Sequence, residues 1–263
     1  MTRFPSLLAV TVLAVLLGVP SAGPAQEIPE WLRDLKLPNS GAKSLMTPSA
    51  WGAAYGTAFV GAGAAERTPY LPSADGVIAL GYGLGDPVLN VGVQLGSTVS
   101  DISEFDNVSF SFKVHRYVGK GTAVAVGGES LFSGGPLVDD AGDTFYLVVS
   151  HVLQGISSSR SGSGRVHVSA GVGTGRFARK SDRDFSEGKG RHGTRAFASL
   201  AVEVDAGTNV ILEWSGTNLL TGLSRTVNTA YAPVALSFGF ADLTNFSGDG
   251  VRLVGGAAFA VSF

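Results

Sequence analysis

A period of two in the apolar side chains, running from about residue 50 to the C-terminus, is the feature that most constrains the fold. Within the segment 87–99, leucine and valine hold every second position from 89 to 95, and glycine or polar residues lie between them. In the next segment, Phe110 and Phe112 share one face, while Lys113 and His115 share the other. Such alternation predicts β-strands with one apolar and one polar face.

Segments with this alternation recur along the chain at 51–62, 75–84, 87–99, 108–115, 121–132, 144–154, 164–174, 194–204, 208–215, 218–227, 232–242 and 251–263. Short and longer connections mostly alternate between them, as in barrels with tight turns at one end and loops at the other. The junctions at 155–164 and 215–218 depart from this rule. We therefore expect an all-β chain that forms a closed antiparallel transmembrane β-barrel of about 12 strands, with 10 to 14 allowed.

Composition agrees with a wall made of many half-apolar strands. Charged residues make up 15% of the chain, against ~25% in typical soluble proteins. The net charge of −2 gives no reason to expect nucleic-acid binding. The chain has no cysteine, which excludes disulfides and a thiolate nucleophile.

The N-terminus has the three parts of a secretory signal peptide. Arg3 precedes an apolar run from Leu7 to Val19, and small residues follow. We expect residues 1–25 to be the signal peptide, with cleavage after Ala25 or Ala22; a retained membrane anchor is the alternative. Residues 26–48 then form a periplasmic lead-in that could tuck into the barrel mouth, and 49–263 form the barrel.

The last strand resembles the terminal strand of bacterial outer-membrane proteins, including porins. Apolar residues alternate from Val251 to the end, and Phe259, Val261 and Phe263 close the pattern. The resemblance implies recognition of these three residues by the barrel-assembly machinery. It also implies a bacterial outer-membrane location, with outer-membrane lipid and lipopolysaccharide as neighbours. A soluble β-sandwich can also end in an alternating strand.

Two short stretches resemble YjbH-type exopolysaccharide-associated barrels. They are Ser44–Ala50, which contains Pro-Ser-Ala, and Leu212–Leu223, a strand–turn–strand with a Trp-Ser-Gly-Thr-Asn turn. The resemblance implies an accessory role in export of a surface polymer.

Polar side chains in register with the inner face are predicted to line the lumen, because a charge on the lipid face costs about 2–4 kcal/mol at midplane. This set is Asn90, Gln94, Lys113, His115, Glu129, His167, Ser199, Glu203, Asn209, Glu213 and Arg252. The alternative is that these groups pair across the lumen and only stabilise the barrel.

Enzymatic features are few. His167 and Ser169 share a strand face, with Glu203 on the next strand, and the pair resembles the His-x-Ser motif of lipid A deacylases. Residues two apart on a strand are ordinary neighbours, however, and no oxyanion-hole motif accompanies them. We therefore expect no catalytic residues and no enzyme.

No cofactor or metal is expected either. The glycine-rich runs do not open a helix, as a phosphate-binding loop requires. The histidines are widely scattered, and Asp139, Asp140 and Asp143 lack calcium-loop spacing.

A basic stretch lies in one predicted outer loop. Its cations are Arg176, Arg179, Lys180, Arg183, Lys189, Arg191 and Arg195. They could bind phosphates of lipopolysaccharide or another anionic surface polymer; a solvated mobile loop is the alternative.

Three functions follow from these features. The first is a monomeric passive channel for small polar solutes. The second is a structural or accessory barrel with a blocked lumen, acting in envelope integrity or surface-polymer export. The third is a lipid-modifying hydrolase.

Overall fold

The computed structural model describes residues 43–67, 74–101, 106–119, 121–134, 142–153, 164–205, 207–230, 232–247 and 250–263. The predicted signal peptide, most of the 26–48 lead-in, and Asp139 and Asp140 lie outside the described residues.

Twelve antiparallel strands form one closed barrel in simple chain order. They are β1 (Thr57–Ala65), β2 (Asp75–Gly85), β3 (Gly92–Asp101), β4 (Asp106–Gly119), β5 (Thr122–Gly134), β6 (Thr144–Leu153), β7 (Val166–Gly173), β8 (Ala196–Asp205), β9 (Thr208–Trp214), β10 (Leu219–Asn228), β11 (Pro233–Ala241) and β12 (Arg252–Ser262). Each strand pairs with its sequence neighbours, and β1 pairs with β12 over Thr57–Ala65, so the sheet has no free edge. The predicted fold class is confirmed.

Alternate side chains of each strand point into the lumen or outward, as β6 shows most clearly. Its residues switch between buried and more exposed at every step from Thr144 to Leu153, with Phe145 and Val149 exposed and Val148 and Ser150 fully buried. Exposed large apolar side chains occur on the outward faces around the ring, among them Leu80, Leu95, Phe110, Leu200, Leu212, Leu223, Leu236, Phe238, Leu253 and Phe259. The outer surface is therefore an apolar belt, as in barrels that face lipid.

The two ends of the barrel differ. We call the end with Thr57 and Ser262 the turn end; the two-residue connections at 120–121 and 206–207 lie there. The opposite, loop end carries the 22-residue connection between β7 and β8. That connection contains a 3-10 helix at Gly175–Phe177 and a short helix α1 at Asp182–Ser186, whose N-terminus is closed by a Ser181–Asp184 capping box. In the described part of the chain, no helix is long and apolar enough to cross a membrane.

Two strand starts differ from the prediction by five residues or more. The first strand was expected at 51–62 but begins at Thr57, because residues 51–54 lie inside the lumen. The third was expected to start at Pro87 but begins at Gly92, because 87–90 form a turn in which the Asn90 N–H donates to the Asp86 carbonyl. Irregular pairing near the loop end of β5 coincides with positive φ at Ser130 and Phe132, which marks a bulged strand.

The apolar belt makes a depth-dependent prediction for two leucines on the outward face of β2. Leu80 lies in the middle of the strand and Leu84 lies next to its turn end. Leu80→Arg should lower the free energy of unfolding in lipid by about 2–4 kcal/mol, whereas Leu84→Arg should cost only about 0–1 kcal/mol. Reversible unfolding from vesicles by guanidinium measures both; equal costs at the two depths would contradict a lipid-facing belt.

Candidate functional site: the barrel lumen

The lumen holds the chain segment that precedes β1, Lys43–Ala54, which we call the inner segment; Tyr55, which follows it, is exposed. Near the turn end, Lys43 Nζ donates to Asn209 Oδ1 at 2.8 Å, and the Tyr55 N–H donates to the Gly85 carbonyl at 2.8 Å. Between these anchors the segment reaches Glu213, close to the loop end of β9. The inner segment therefore enters and leaves through the turn end and folds back inside the barrel.

Glu213 anchors the inner segment where it folds back, close to the loop end. Its carboxylate is almost fully buried and accepts backbone N–H groups of Leu45, Met46 and Thr47 at 2.8, 2.8 and 2.7 Å. A buried carboxylate without partners would be costly, and three charge-assisted hydrogen bonds offset that cost. The same bonds satisfy three backbone donors that belong to no sheet or helix.

The descending half of the inner segment is bound by inward side chains of three further strands. Ser150 Oγ accepts from the Ala50 N–H at 2.8 Å, and Gln94 Oε1 accepts from the Ala53 N–H at 3.0 Å. Lys113 Nζ donates to the Trp51 carbonyl at 2.9 Å. In these three contacts, wall side chains form hydrogen bonds with main-chain atoms of the inner segment, and not with side chains of the opposite wall.

The close fit of the inner segment depends on small residues in the wall. His115 Nε2 lies 3.1 Å from the Ala53 carbonyl oxygen, an arrangement that requires the Nε2–H tautomer. A Cβ atom on Gly92 would lie 2.5 Å from that ring nitrogen, and one on Gly83 would lie 2.2 Å from the Ala54 carbonyl oxygen. Glycine at these two positions leaves the space that the inner segment and His115 occupy.

An aromatic cluster fills one side of the lumen. Trp51 contacts Tyr117, with ring centroids 5.3 Å apart, while Phe177 and Phe197 stack at 4.4 Å and Tyr146 meets both edge-on. All of these except the half-buried Tyr117 are buried, together with small wall residues of β5 and β6. This side of the barrel is a packed core.

Arg176 joins three elements at the border of the packed half. Its Nε donates to Glu129 of β5, and its Nη2 donates to the Met46 carbonyl at 2.8 Å. Its guanidinium also lies over the Phe177 ring, 4.5 Å from the centroid. The outer loop, the wall and the inner segment are thereby tied together.

The other side of the lumen is open. A cavity of about 530 Å³ is lined mainly by β1, β2 and β12, with Leu45 and Met46 of the inner segment. Its lining reaches loop-end residues such as Ala65 and Asp75, and consists largely of glycine, alanine and serine. Small inward side chains on these strands leave room that the aromatic side does not.

The structure places most predicted lumen residues inside the barrel. Eight of them are buried, namely Lys113, His115, His167, Ser199, Glu203, Asn209, Glu213 and Arg252. Gln94 and Glu129 are half-buried and contact groups inside, whereas Asn90 is exposed in the β2–β3 turn and does not face the lumen. Their contribution to passage of a solute stays a prediction.

The three residues that suggested a hydrolase are not joined. Among the described residues, neither ring nitrogen of His167 has a hydrogen-bond partner, and Ser169 Oγ pairs with Ser150 Oγ at 2.7 Å. Glu203 accepts from the Gly207 N–H and lies 3.8 Å from Arg165. A nucleophile–base hydrogen bond, which a serine hydrolase needs, is not formed here.

Most cations of the basic loop already have partners. Arg183 pairs with Glu187 at 2.9 Å, Lys189 with the same carboxylate at 2.9 Å, and Arg191 with Asp182 at 3.6 Å. Lys180 Nζ donates to two backbone carbonyls and lies 3.3 Å from the centroid of the Phe246 ring. The loop is thus folded, and its positive charge is partly neutralised. Its binding of phosphates stays a prediction.

Sequence reasoning allowed residues 26–48 to tuck into the barrel mouth but placed 51–55 in the first strand. It therefore missed Trp51 as a lumen residue and Ser150 as the acceptor of the Ala50 N–H. One signal was available for the aromatic cluster. The segments 144–154 and 194–204 carry apolar residues on both faces, which indicates strands buried on both sides.

The anchoring role of Glu213 can be tested against a matched carboxylate. Asp242 is also fully buried, and its two oxygens accept the N–H groups of Phe246, Ser247 and Gly250 in the β11–β12 loop. Glu213→Gln should speed hydrogen exchange at residues 45–47 by about tenfold or more, since a hydrogen bond to a charged group is worth about 1.5–3 kcal/mol.

The control, Asp242→Asn, should speed exchange at 246–250 and leave 45–47 unchanged. Mass spectrometry of exchange in detergent or nanodiscs reads both regions. Unchanged protection at 45–47 in Glu213→Gln would show that this carboxylate does not hold the inner segment.

Comparison with known proteins gives little beyond the geometry. No protein-family description matches the chain, and none of the curated proteins matches it. Among solved structures, the chain is similar to an outer membrane channel from Pseudomonas putida, with 11% sequence identity and a TM-score of 0.44 over 85% of this chain and 98% of that chain. At this level of similarity, the functional conclusions rest on the lumen described above.

Proposed function

We propose that the chain is an outer-membrane barrel that acts as a passive channel for small polar solutes, narrowed by its own inner segment. The observation that carries the proposal is the cavity of about 530 Å³ that reaches the loop end inside a closed wall. Its volume falls within the ~300–1,000 Å³ of small-molecule sites.

The apolar belt supports a membrane location. A closed barrel satisfies every strand's backbone groups internally, which is what hydrocarbon surroundings require. Phe263, one of the three residues of the predicted assembly signal, is exposed beside the turn end. Export through the signal peptide, recognition by the barrel-assembly machinery and contact with lipopolysaccharide belong to this proposal as expectations.

The inner segment sets the width of the route. Leu45 and Met46 form part of the cavity lining, so a solute that enters from the loop end meets the fold-back held by Glu213. Loosening this anchor should widen the route, and Glu213→Gln should raise single-channel conductance or its fluctuations above wild type.

A substitution that fills the cavity tests the route directly. Gly61 lies on the inward face of β1, where an added Cβ would meet only Ala258 and the Ala257 carbonyl oxygen, both at ordinary contact distances, and the side chain of the neighbouring Ala62 faces outward. Gly61→Trp should lower conductance in planar bilayers, and sugar-driven vesicle swelling, by about half or more. The control Ala62→Trp adds the same side chain on the lipid side and should conduct like wild type. Equal conductance in the two variants would exclude this cavity as the route.

An accessory barrel with a blocked lumen is the second candidate, favoured by the inner segment and the aromatic cluster that together fill one side. It predicts no steady ion current from wild type or from Glu213→Gln. The same bilayer recordings therefore decide between the two functions.

A further inference from the structure

The cavity wall is close to neutral. Among the described residues, its lining contains three charged side chains, Asp75, Glu129 and Arg176. Glu129 and Arg176 form an ion pair with each other, both about three-quarters buried. Asp75 is the first residue of β2, at the loop end, where water screens its charge.

The remaining polar side chains among the described lining residues are hydroxyls. They come from different strands around the cavity, including Thr98 of β3, Ser109 of β4, Ser130 of β5 and Ser237 of β11. A hydroxyl both donates and accepts hydrogen bonds, so it can replace water around another hydroxyl group. An ion that loses its hydration shell needs stronger compensation than a few hydroxyls supply.

We infer that the cavity admits uncharged, hydroxyl-bearing solutes of sugar size, and that the Glu129–Arg176 ion pair determines this selectivity. The inference rests on the proposed channel function and adds its solute class and the pair that sets it. With the pair intact, its two charges cancel at the cavity wall. Without one partner, the other is left as a fixed charge beside the route and favours ions of opposite sign.

A purely structural ion pair would affect stability alone, whereas a selectivity pair changes the sign of ion preference. The reversal potential under a KCl gradient separates the two roles. Relative to wild type, Glu129→Gln should shift selectivity toward chloride, and Arg176→Gln should shift it toward potassium, each changing the permeability ratio by about threefold or more. The double variant, with the pair neutralised, should return close to wild type.

The exposed pair Arg183–Glu187 of α1 supplies the matched control, since neither residue lines the cavity. Glu187→Gln and Arg183→Gln should leave the reversal potential unchanged. Heat-modifiable gel migration checks that each variant is folded, and Arg176→Met replaces Arg176→Gln if the latter fails to fold.

Vesicle swelling with glucose and with gluconate of the same size tests the solute class. Wild type should pass glucose several times faster than gluconate, and Glu129→Gln should narrow that difference. Two results overturn the selectivity inference but leave the channel function standing. One is steady conductance with no opposite shifts of the reversal potential in the two single variants, and the other is faster passage of gluconate than of glucose in wild type. Absence of any conductance or glucose passage in wild type overturns the channel function itself.

Discussion

Closure of the backbone hydrogen bonds between β1 and β12 is the constraint on which the rest of the structure depends. In hydrocarbon each unpaired backbone group costs several kcal/mol, so a sheet must have no edge. Closure also sends every second side chain into the lumen. Eight strands leave an interior that side chains just fill, and twelve enclose more. The extra space here is shared between an aromatic cluster, an inner segment and a cavity.

The inner segment and the charged wall residues supply each other with hydrogen-bond partners. A segment that belongs to no sheet or helix has backbone groups without partners, and buried charges need hydrogen bonds. Glu213 accepts three N–H groups of the segment, and Lys113 donates to one of its carbonyls. These two charges bind main chain rather than each other across the lumen, whereas Glu129 and Arg176 pair side chain with side chain beside the cavity.

The wall could be predicted from the sequence because its periodicity is local. Both short segments, 208–215 and 218–227, are strands, and the register of 251–263 places Leu253 and Phe259 outside as expected. The start of the first strand could not be predicted. Residues 51–55 place Trp51, Ala53 and Tyr55 at alternate positions, as a wall strand would. An extended segment inside the lumen and a strand in the wall have the same period-two sequence pattern. Only the long-range contacts with His115 and Gln94 show that this segment lies inside the lumen.

The two-faced wall is tested most directly by spin labels placed at successive positions of β6, from Phe145 to Val152, in lipid vesicles. Since the chain has no cysteine, each single Cys substitution carries one label. Oxygen, which concentrates in lipid, should relax labels at 145, 147 and 149 far more than those at 146, 148 and 150. Uniform accessibility along the strand, or outward positions reached mainly by a water-soluble nickel reagent, would contradict a lipid-facing barrel.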